Sequence, residues 1–287
     1  MALIYNATFD SQTRILSLLD KAGNVISSCE VPSKSNELTL TATSDNSSVE
    51  LMKRDPLDNT FEVDKGSGWK AYAFGTVIPL NAGESCRWRC KSHPTLQSYD
   101  NYVQFVMAGK IEASGNVNSM LSRDFENLTS LSGYGNAFRS LFENCTSLTQ
   151  APELPATTLA DNCYKEMFEG CTSLVQAPEL PATNLAYTCY GYMFNRCTSL
   201  VQAPELPATT LADFCYYFMF YGCTSLNEVR ISATRTATDA LYCWLSRVAA
   251  TGDFYCDPNA TIFKTGNESG IPQNWTRHAL ADYPVTP

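Results

Sequence analysis

Three consecutive segments of this chain repeat one another with a period of 26 residues. Residues 146–171, 172–197 and 198–223 read TSLTQAPELPATTLADNCYKEMFEGC, TSLVQAPELPATNLAYTCYGYMFNRC and TSLVQAPELPATTLADFCYYFMFYGC. Eighteen of the 26 positions are identical in all three. A unit this short buries its apolar face only against its neighbours. The period and the regular leucines therefore predict a solenoid of leucine-rich-repeat type.

Within each repeat, the pattern predicts a short strand followed by a helix. The first half holds Leu174 and Leu180, and the prolines between and after them limit the strand because proline has no N–H to donate. A helix is predicted from about Leu185 to Phe194. In the third repeat Leu211, Cys215, Met219 and Cys223 recur every four residues, which favours one buried helical face. Residues 137–145 form a degenerate preceding half-repeat, and the charged strand 228–230 is predicted to cap the stack.

The blocks CTSLVQAPELPAT and CYxxMFxxCTSL resemble the BspA-type leucine-rich repeats of surface proteins from anaerobic gut bacteria and their phages. The resemblance covers roughly residues 110–287 and includes the lead-in IEASGNVNSML and the tail segments WLSRVAATGDFYC and SGIPQNWT. It implies an adhesion or recognition solenoid without catalysis. Surface members carry an export signal, and the N-terminal sequence MALIYNATFD shows neither the basic nor the apolar region of one.

The part before the repeats is expected to be β-structure. Short alternating runs at 37–43, 48–53, 76–80 and 101–107 are separated by turn residues, which predicts a β-sandwich-like module over residues 34–110. Residues 1–33 predict a small β attachment segment with a turn at 23–24, and it resembles the leaders of some phage fibre and decoration proteins. With a repeat solenoid and its cap over 111–287, the predicted fold class is α+β.

Twelve cysteines raise the question of a disulfide framework. Two ladders share the 26-residue spacing, Cys145, Cys171, Cys197 and Cys223 in one and Cys163, Cys189 and Cys215 in the other. A chain of this length can build a core without disulfides, and free cysteine behaves as a small apolar residue, so we expect reduced, buried thiols. Helices packed about 10 Å apart would also separate the three thiols of the second ladder too far for a disulfide. Disulfides among them are the alternative. A metal site at Cys86, Cys90 and His93 is not favoured.

Composition excludes several classes of protein. Charged residues make up 17% and hydrophobic residues 44%, which excludes an intrinsically disordered chain. The net charge is −9, and no run of lysine and arginine indicates a nucleic-acid partner. Apolar runs are too short to span a membrane. Because we find no catalytic constellation or nucleotide-binding loop, no enzyme activity, cofactor or metal is predicted.

The positions that differ between repeats point to a contact surface. Six of the eight variable positions occur as pairs every four residues, on the expected outer face of the helix. The first repeat places charges there, whereas the later two place aromatic rings, and exposed apolar patches usually mark contacts. The candidate binding residues are Tyr187, Tyr192, Phe214, Tyr217, Phe218 and Tyr221. The alternative is that another part of the chain, or a neighbouring subunit, covers them.

A second candidate is the strand ladder, where glutamine and glutamate recur in each repeat. Its members are Gln150, Glu153, Gln176, Glu179, Gln202 and Glu205. They predict either a cation or sugar-hydroxyl site, or a solvated edge that was copied with the repeat.

Together these features predict a non-enzymatic structural or recognition protein, a phage virion appendage that displays the repeats for contact with a host protein or glycan. The start at Met1, the missing signal and the unpaired cysteines favour this assignment over its alternative, a bacterial cell-surface adhesin. The expected partners are virion or surface proteins through the N-terminal β segment and a host surface protein or glycan through the repeats. A homo-oligomer is left open.

Overall fold

The computed structural model describes residues 6–10, 15–19, 22, 25–30, 36–53, 61–91 and 102–283. It divides the chain into two compact units, Met1–Asn36 and Glu37–Pro287. The first unit contains three antiparallel strands in the order β1-β2-β3. These strands are β1 (Asn6–Asp10), β2 (Ile15–Leu19) and β3 (Val25–Glu30). The predicted turn at 23–24 lies outside the described residues.

The second unit begins with two antiparallel sheets. Their strands are β4 (Leu38–Ala42), β5 (Ser47–Lys53), β6 (Phe61–Asp64), β7 (Lys70–Ala71), β8 (Ile78–Leu80), β9 (Ser85–Cys90), β10 (Val103–Ala108) and β11 (Ile111–Ser114). One sheet has the order β10-β5-β8, and the other runs β11-β4-β9-β6-β7. Buried and half-buried residues alternate along β4, and Trp88 on β9 contacts Phe105 on β10 with ring centroids 5.1 Å apart. The expected antiparallel strands are therefore present here.

The same sheet leads into the repeats, because β12 (Leu148–Gln150) pairs in parallel with β11. Beyond it, successive repeats form parallel bridges at Gln176–Gln202 and Gln202–Glu228. Three parallel strands then follow, β13 (Glu228–Arg230), β14 (Gly252–Cys256) and β15 (Trp275–Ala279). The strand 228–230 that was predicted to end the stack is thus followed by two more strands.

The predicted helix is absent from the repeats. Between residues 160 and 171, N–H groups bond alternately within the repeat and to the next one. Cys163 donates to the Ala160 carbonyl at 3.2 Å, and Tyr164 donates to the Cys189 carbonyl at 3.0 Å. Every fourth residue has a left-handed backbone, with φ of 55° at Asn162 and 59° at Glu166. The segment is a chain of overlapping turns, because an α-helix would need every N–H to bond four residues back.

The α+β class and the leucine-rich-repeat solenoid of strand and helix units are therefore wrong. The described part of the chain is a sheet-rich fold with almost no helix. Helical structure in the described residues is limited to the short 3-10 segments Val117–Met120, Phe125–Asn127 and Leu280–Asp282. A spacing of four residues, as in Cys215 and Met219, fits a four-residue turn repeat as well as a helical face, and the sequence pattern did not separate them.

We call the three repeats, residues 146–223, the repeat stack. Aromatic rings stack on one another through its core, beginning with Phe142 of the preceding half-repeat. Phe142, Phe168, Phe194 and Phe220 follow one another with centroids 5.6, 5.6 and 5.5 Å apart and nearly parallel planes. These ring spacings, together with the hydrogen bonds between repeats, indicate that successive repeats lie about as close as hydrogen-bonded strands, which are generally about 4.8 Å apart. The expected helix spacing of about 10 Å is wrong, and distance does not prevent a disulfide between equivalent cysteines.

Burial of the cysteine ladders is confirmed. Cys163, Cys189 and Cys215 are free and completely buried. In the other ladder the thiols of Cys171, Cys197 and Cys223 each donate a hydrogen bond to a phenylalanine carbonyl of the preceding turn segment, for example from Cys171 to Phe142 at 3.1 Å, and Cys145 donates to the Phe105 carbonyl on β10. Burial raises the pKa of Cys163 and Cys215 to about 12. The ladders therefore act as uncharged core residues.

Candidate functional site

Open grooves lie between successive copies of the segment QAPELP. The first is lined by residues 150–155 and 176–179 with Pro181, and has a volume of about 530 Å³. The second is lined mainly by residues 175–181 and 201–205, and has a volume of about 770 Å³. Prolines interrupt the hydrogen-bonded ladder here, so the chain stays irregular and the copies leave space between them. We call these two connected depressions the groove.

A column of amides runs along the groove. Gln150, Gln176 and Gln202 are all exposed, and the parallel bridges continue the column to Glu228. The Gln150 amide donates to the Ala113 carbonyl at 3.3 Å. An amide can both donate and accept, so each member can hold a polar ligand group.

A column of carboxylates accompanies the amides. Glu153, Glu179 and Glu205 are exposed on the same segments. At the end of the column, Arg230 lies 3.4 Å from Glu205. Because both side chains are open to solvent, this ion pair contributes little stability. The groove is acidic overall.

Tyr283 closes the C-terminal end of the groove. Its hydroxyl accepts a hydrogen bond from the Gln202 amide at 2.6 Å and donates one to the Glu228 carboxylate at 2.8 Å. The Gln202 amide also bonds to Glu228. The Arg230 guanidinium lies 4.6 Å from the Tyr283 ring centroid. Burial and the hydrogen bond to Glu228 raise the pKa of Tyr283, which therefore stays a neutral hydroxyl at physiological pH.

The six predicted aromatic residues come together at the turns of the second and third repeats. Tyr192 stacks on Phe218 at 5.2 Å, and Tyr187 meets Phe214 edge-on at 5.6 Å. Tyr217 contacts Phe218 at 4.7 Å. A seventh ring, Tyr242, stacks on Tyr217 at 5.5 Å. We call the six predicted residues together with Tyr242 the aromatic cluster, whose members are Tyr187, Tyr192, Phe214, Tyr217, Phe218, Tyr221 and Tyr242.

The aromatic cluster is largely covered by its own rings. Tyr187 is 50% exposed and Tyr242 is 37% exposed, whereas the other five are half-buried. Burial and the neighbouring Tyr217 raise the pKa of Tyr192 to about 12. The cluster lies on a ribbon of turns, so the predicted outer helical face is wrong, although its residues do adjoin one another. These rings stabilise one another and leave only a small exposed apolar area.

Four residues near these surfaces were not identified as site residues from the sequence. Glu228 lies 26 positions after Gln202, so the repeat period could have placed it in the amide column. Tyr242 follows Phe218 by 24 positions, and this irregular spacing concealed it. The repeat period does not indicate Arg230 or Tyr283 as site residues. Tyr283 in particular contacts Gln202 from 81 positions away in the sequence.

The described residues contain no group of three or more histidine, cysteine, aspartate or glutamate side chains arranged to hold a metal ion. His93, the histidine of the metal alternative, lies outside them. A carboxylate–imidazole pair occurs elsewhere, where His278 bonds to Asp253 at 2.7 Å and stacks on Tyr255. Within the described part of the chain, no helix is both long and apolar enough to cross a membrane.

Comparison with known proteins does not indicate a function for the groove or for the aromatic cluster. The chain matches no protein-family model, no curated protein and no solved structure.

Proposed function

We propose that this chain is a non-enzymatic recognition protein of a phage virion surface and that it binds its target along the groove. The observation that carries the proposal is the pair of open depressions between copies of one segment, both lined by the glutamine, glutamate, alanine and proline residues of that segment. Concave sites with a few converging polar groups are the usual location of ligand binding.

The groove is favoured over the aromatic cluster because its polar groups face solvent. Gln176 and Glu179 are exposed, whereas Tyr217 and Phe218 are half-buried against other rings. The aromatic cluster is the alternative contact surface, and its most exposed rings are Tyr187 and Tyr242.

The thiols support synthesis in a reducing compartment. The eleven cysteines whose side chains are described are all free and buried. Disulfides are rare in proteins that fold in the cytosol, where a virion protein is made. A cell-surface adhesin is the alternative location for the same recognition activity.

The N-terminal unit, Met1–Asn36, is proposed to attach the protein to its particle. It forms a compact unit of its own, and the groove residues belong to the other unit. In this three-stranded sheet β1 and β3 are the edge strands. An edge strand can pair with a strand of another chain.

Binding of the fluorescently labelled chain to a panel of gut anaerobes tests the recognition function. Gln176→Leu removes an exposed amide from the groove with little change in size, and Asn184→Leu is a matched change at an exposed amide of the same repeat. We expect Gln176→Leu to lose at least tenfold in binding and Asn184→Leu to bind like the parent. Equal binding by both variants, or none by the parent, would contradict the proposal. Detection in purified particles or in cell envelopes distinguishes the two locations.

A further inference from the structure

The fold places a hydroxyl in the groove. The Tyr283 oxygen lies between the Gln202 amide and the Glu228 carboxylate, so it accepts one hydrogen bond and donates another. A ligand hydroxyl could in the same way accept one hydrogen bond from this pair and donate one to it. The two partners are neighbours in the amide column because their backbones bridge in parallel.

The pair Gln176 and Gln202 has the same backbone register as the pair Gln202 and Glu228. Gln176 and Gln202 form the equivalent parallel bridge, one repeat earlier. The Gln176 amide can donate as Gln202 does to Tyr283, and the Gln202 amide oxygen can accept as Glu228 does, because the two N–H groups of Gln202 are already bonded to Tyr283 and Glu228. Gln176 is exposed in the groove, so its pair can receive a hydroxyl from outside the chain.

Apolar walls flank these polar groups. Val175 is 56% exposed and Val201 is 44% exposed, and both line the second depression together with Pro178 and Pro204. Covering such side chains is favourable, by about 25 cal/mol for each Å² of apolar area removed from water. A ligand that fits this site has hydroxyls along one edge and C–H groups on its faces, which is the pattern of a pyranose ring.

Charge restricts the ligand further. Glu179 and Glu205 line the second depression, and the nearby cation Arg230 is already 3.4 Å from Glu205. An acidic polymer would place like charges beside these carboxylates, which is unfavourable.

Resting on the function proposed above, we propose that the groove binds a neutral polysaccharide, whose hydroxyls occupy successive pairs of the amide column as Tyr283 occupies the last one. Tyr283 is then an internal competitor that limits the number of sugar units bound. Because the column gains one residue with each repeat, each repeat adds one pair that can bind a ligand hydroxyl.

Affinity electrophoresis of the full chain in gels containing soluble polysaccharides tests this assignment. The neutral probes are dextran, mannan, galactan and β-glucan, and the anionic probes are polygalacturonate and hyaluronate. We expect retardation by at least one neutral probe and by neither anionic probe. Gln176→Leu should abolish the retardation, and Asn184→Leu should leave it unchanged. Retardation by no neutral probe, or equally by anionic ones, would overturn the proposal.

Tyr283→Ala tests the competitor directly, because it removes both the hydroxyl and the ring that would keep a ligand hydroxyl away from Gln202 and Glu228. One more pair becomes available, and a net hydrogen bond of about 1 kcal/mol corresponds to about threefold to tenfold tighter binding. Unchanged or weaker binding would overturn the role of Tyr283.

The two proposals fail in different ways. If the chain binds bacterial cells and that binding survives periodate oxidation of their glycans but not protease treatment, the ligand is a protein and the glycan assignment is wrong, while recognition stands. If periodate abolishes cell binding, the glycan assignment is supported. If the chain binds neither cells nor polysaccharides, both proposals are wrong.

Discussion

Thr188 and Asn162 occupy the same position of consecutive repeats, and both have a left-handed backbone, with φ of 51° and 55°. Asparagine adopts this conformation readily, whereas a β-branched residue rarely does. Thr188 is also 7% exposed, so its side chain is held in place by the surrounding structure. The second repeat therefore stores backbone strain that the first one avoids.

Exchanging the two residue types should relieve the backbone strain at position 188 and introduce it at position 162. Thr188→Asn is expected to raise the free energy of unfolding by about 1 kcal/mol, and Asn162→Thr to lower it by a similar amount. Urea unfolding followed by circular dichroism measures both. Equal shifts of the same sign in the two variants would contradict a left-handed turn at this position.

Glu169 should make stability depend on pH. Burial, with the nearby carboxylates of Glu166 and Glu143, raises the pKa of Glu169 to about 7. The unfolded chain releases this proton near pH 4.3 and the folded chain only near 7, so stability is lost as pH rises through this window.

Glu169→Gln removes that loss. At pH 8 the variant should have a higher melting temperature than the parent, and at pH 4 the two should be equal. A variant that is no more stable at pH 8 would show that the Glu169 carboxyl is not held in its neutral form.

The buried thiols should weaken the fold at alkaline pH. Burial raises the pKa of Cys163 and Cys215 to about 12, whereas thiols of the unfolded chain ionise near 8.5. Stability is therefore complete below about pH 8.5 and is lost as pH rises towards 12, with a limiting slope of about 1.4 kcal/mol per pH unit for each thiol. Urea midpoints at pH 8 and 9.5 measure the loss.

Cys215→Ala provides the control for this slope, because it removes one of the contributing thiols. The variant should be less stable at pH 8, where it has lost packing, and should lose less stability between pH 8 and 9.5. An identical pH dependence in parent and variant would argue against a neutral thiol at Cys215.

Deleting one whole repeat should preserve the stack. Removing residues 172–197 joins Cys171 to Thr198, so the buried ring column of Phe168 and Phe220 keeps equivalent neighbours. We expect a folded chain with an unchanged circular dichroism spectrum per residue. Removing 173–197 instead shifts the register by one and should give an unfolded or aggregated product.

Met193→Asp complements the deletion. Met193 is completely buried, so the substitution should lower the free energy of unfolding by at least about 3 kcal/mol. A harmless Met193→Asp together with an aggregated 26-residue deletion would contradict modular packing.

Much of the core could be predicted from the sequence because identical residues at a fixed period must meet in a stack. Cys215, Met219 and Leu211 were placed in the core from their spacing, and all three are buried. The backbone that carries them could not be predicted, because recurrence every four residues also fits overlapping turns. The choice depends on hydrogen bonds to the next repeat, such as that from Tyr164 to Cys189, which no local pattern encodes.

The candidate site could likewise be predicted only in part, namely for the residues that recur in each repeat. Gln176 and Glu179 were identified because each repeat copies them. Tyr283 was not, because it reaches Gln202 through the return of the C-terminal segment and has no counterpart at the repeat period. The aromatic residues were correctly grouped, although the extent to which they cover one another depends on packing between repeats.

Hydroxyl-radical footprinting of the chain, read by mass spectrometry, shows which surface the bound target covers. The chain would be compared free and bound to envelopes of a bacterium from the panel that it recognises. We predict that residues 150–155 and 176–181 become protected, while Tyr187 and Tyr242 keep their reactivity. Protection of Tyr187 and Tyr242 with an unchanged groove would contradict the account and place recognition on the aromatic cluster.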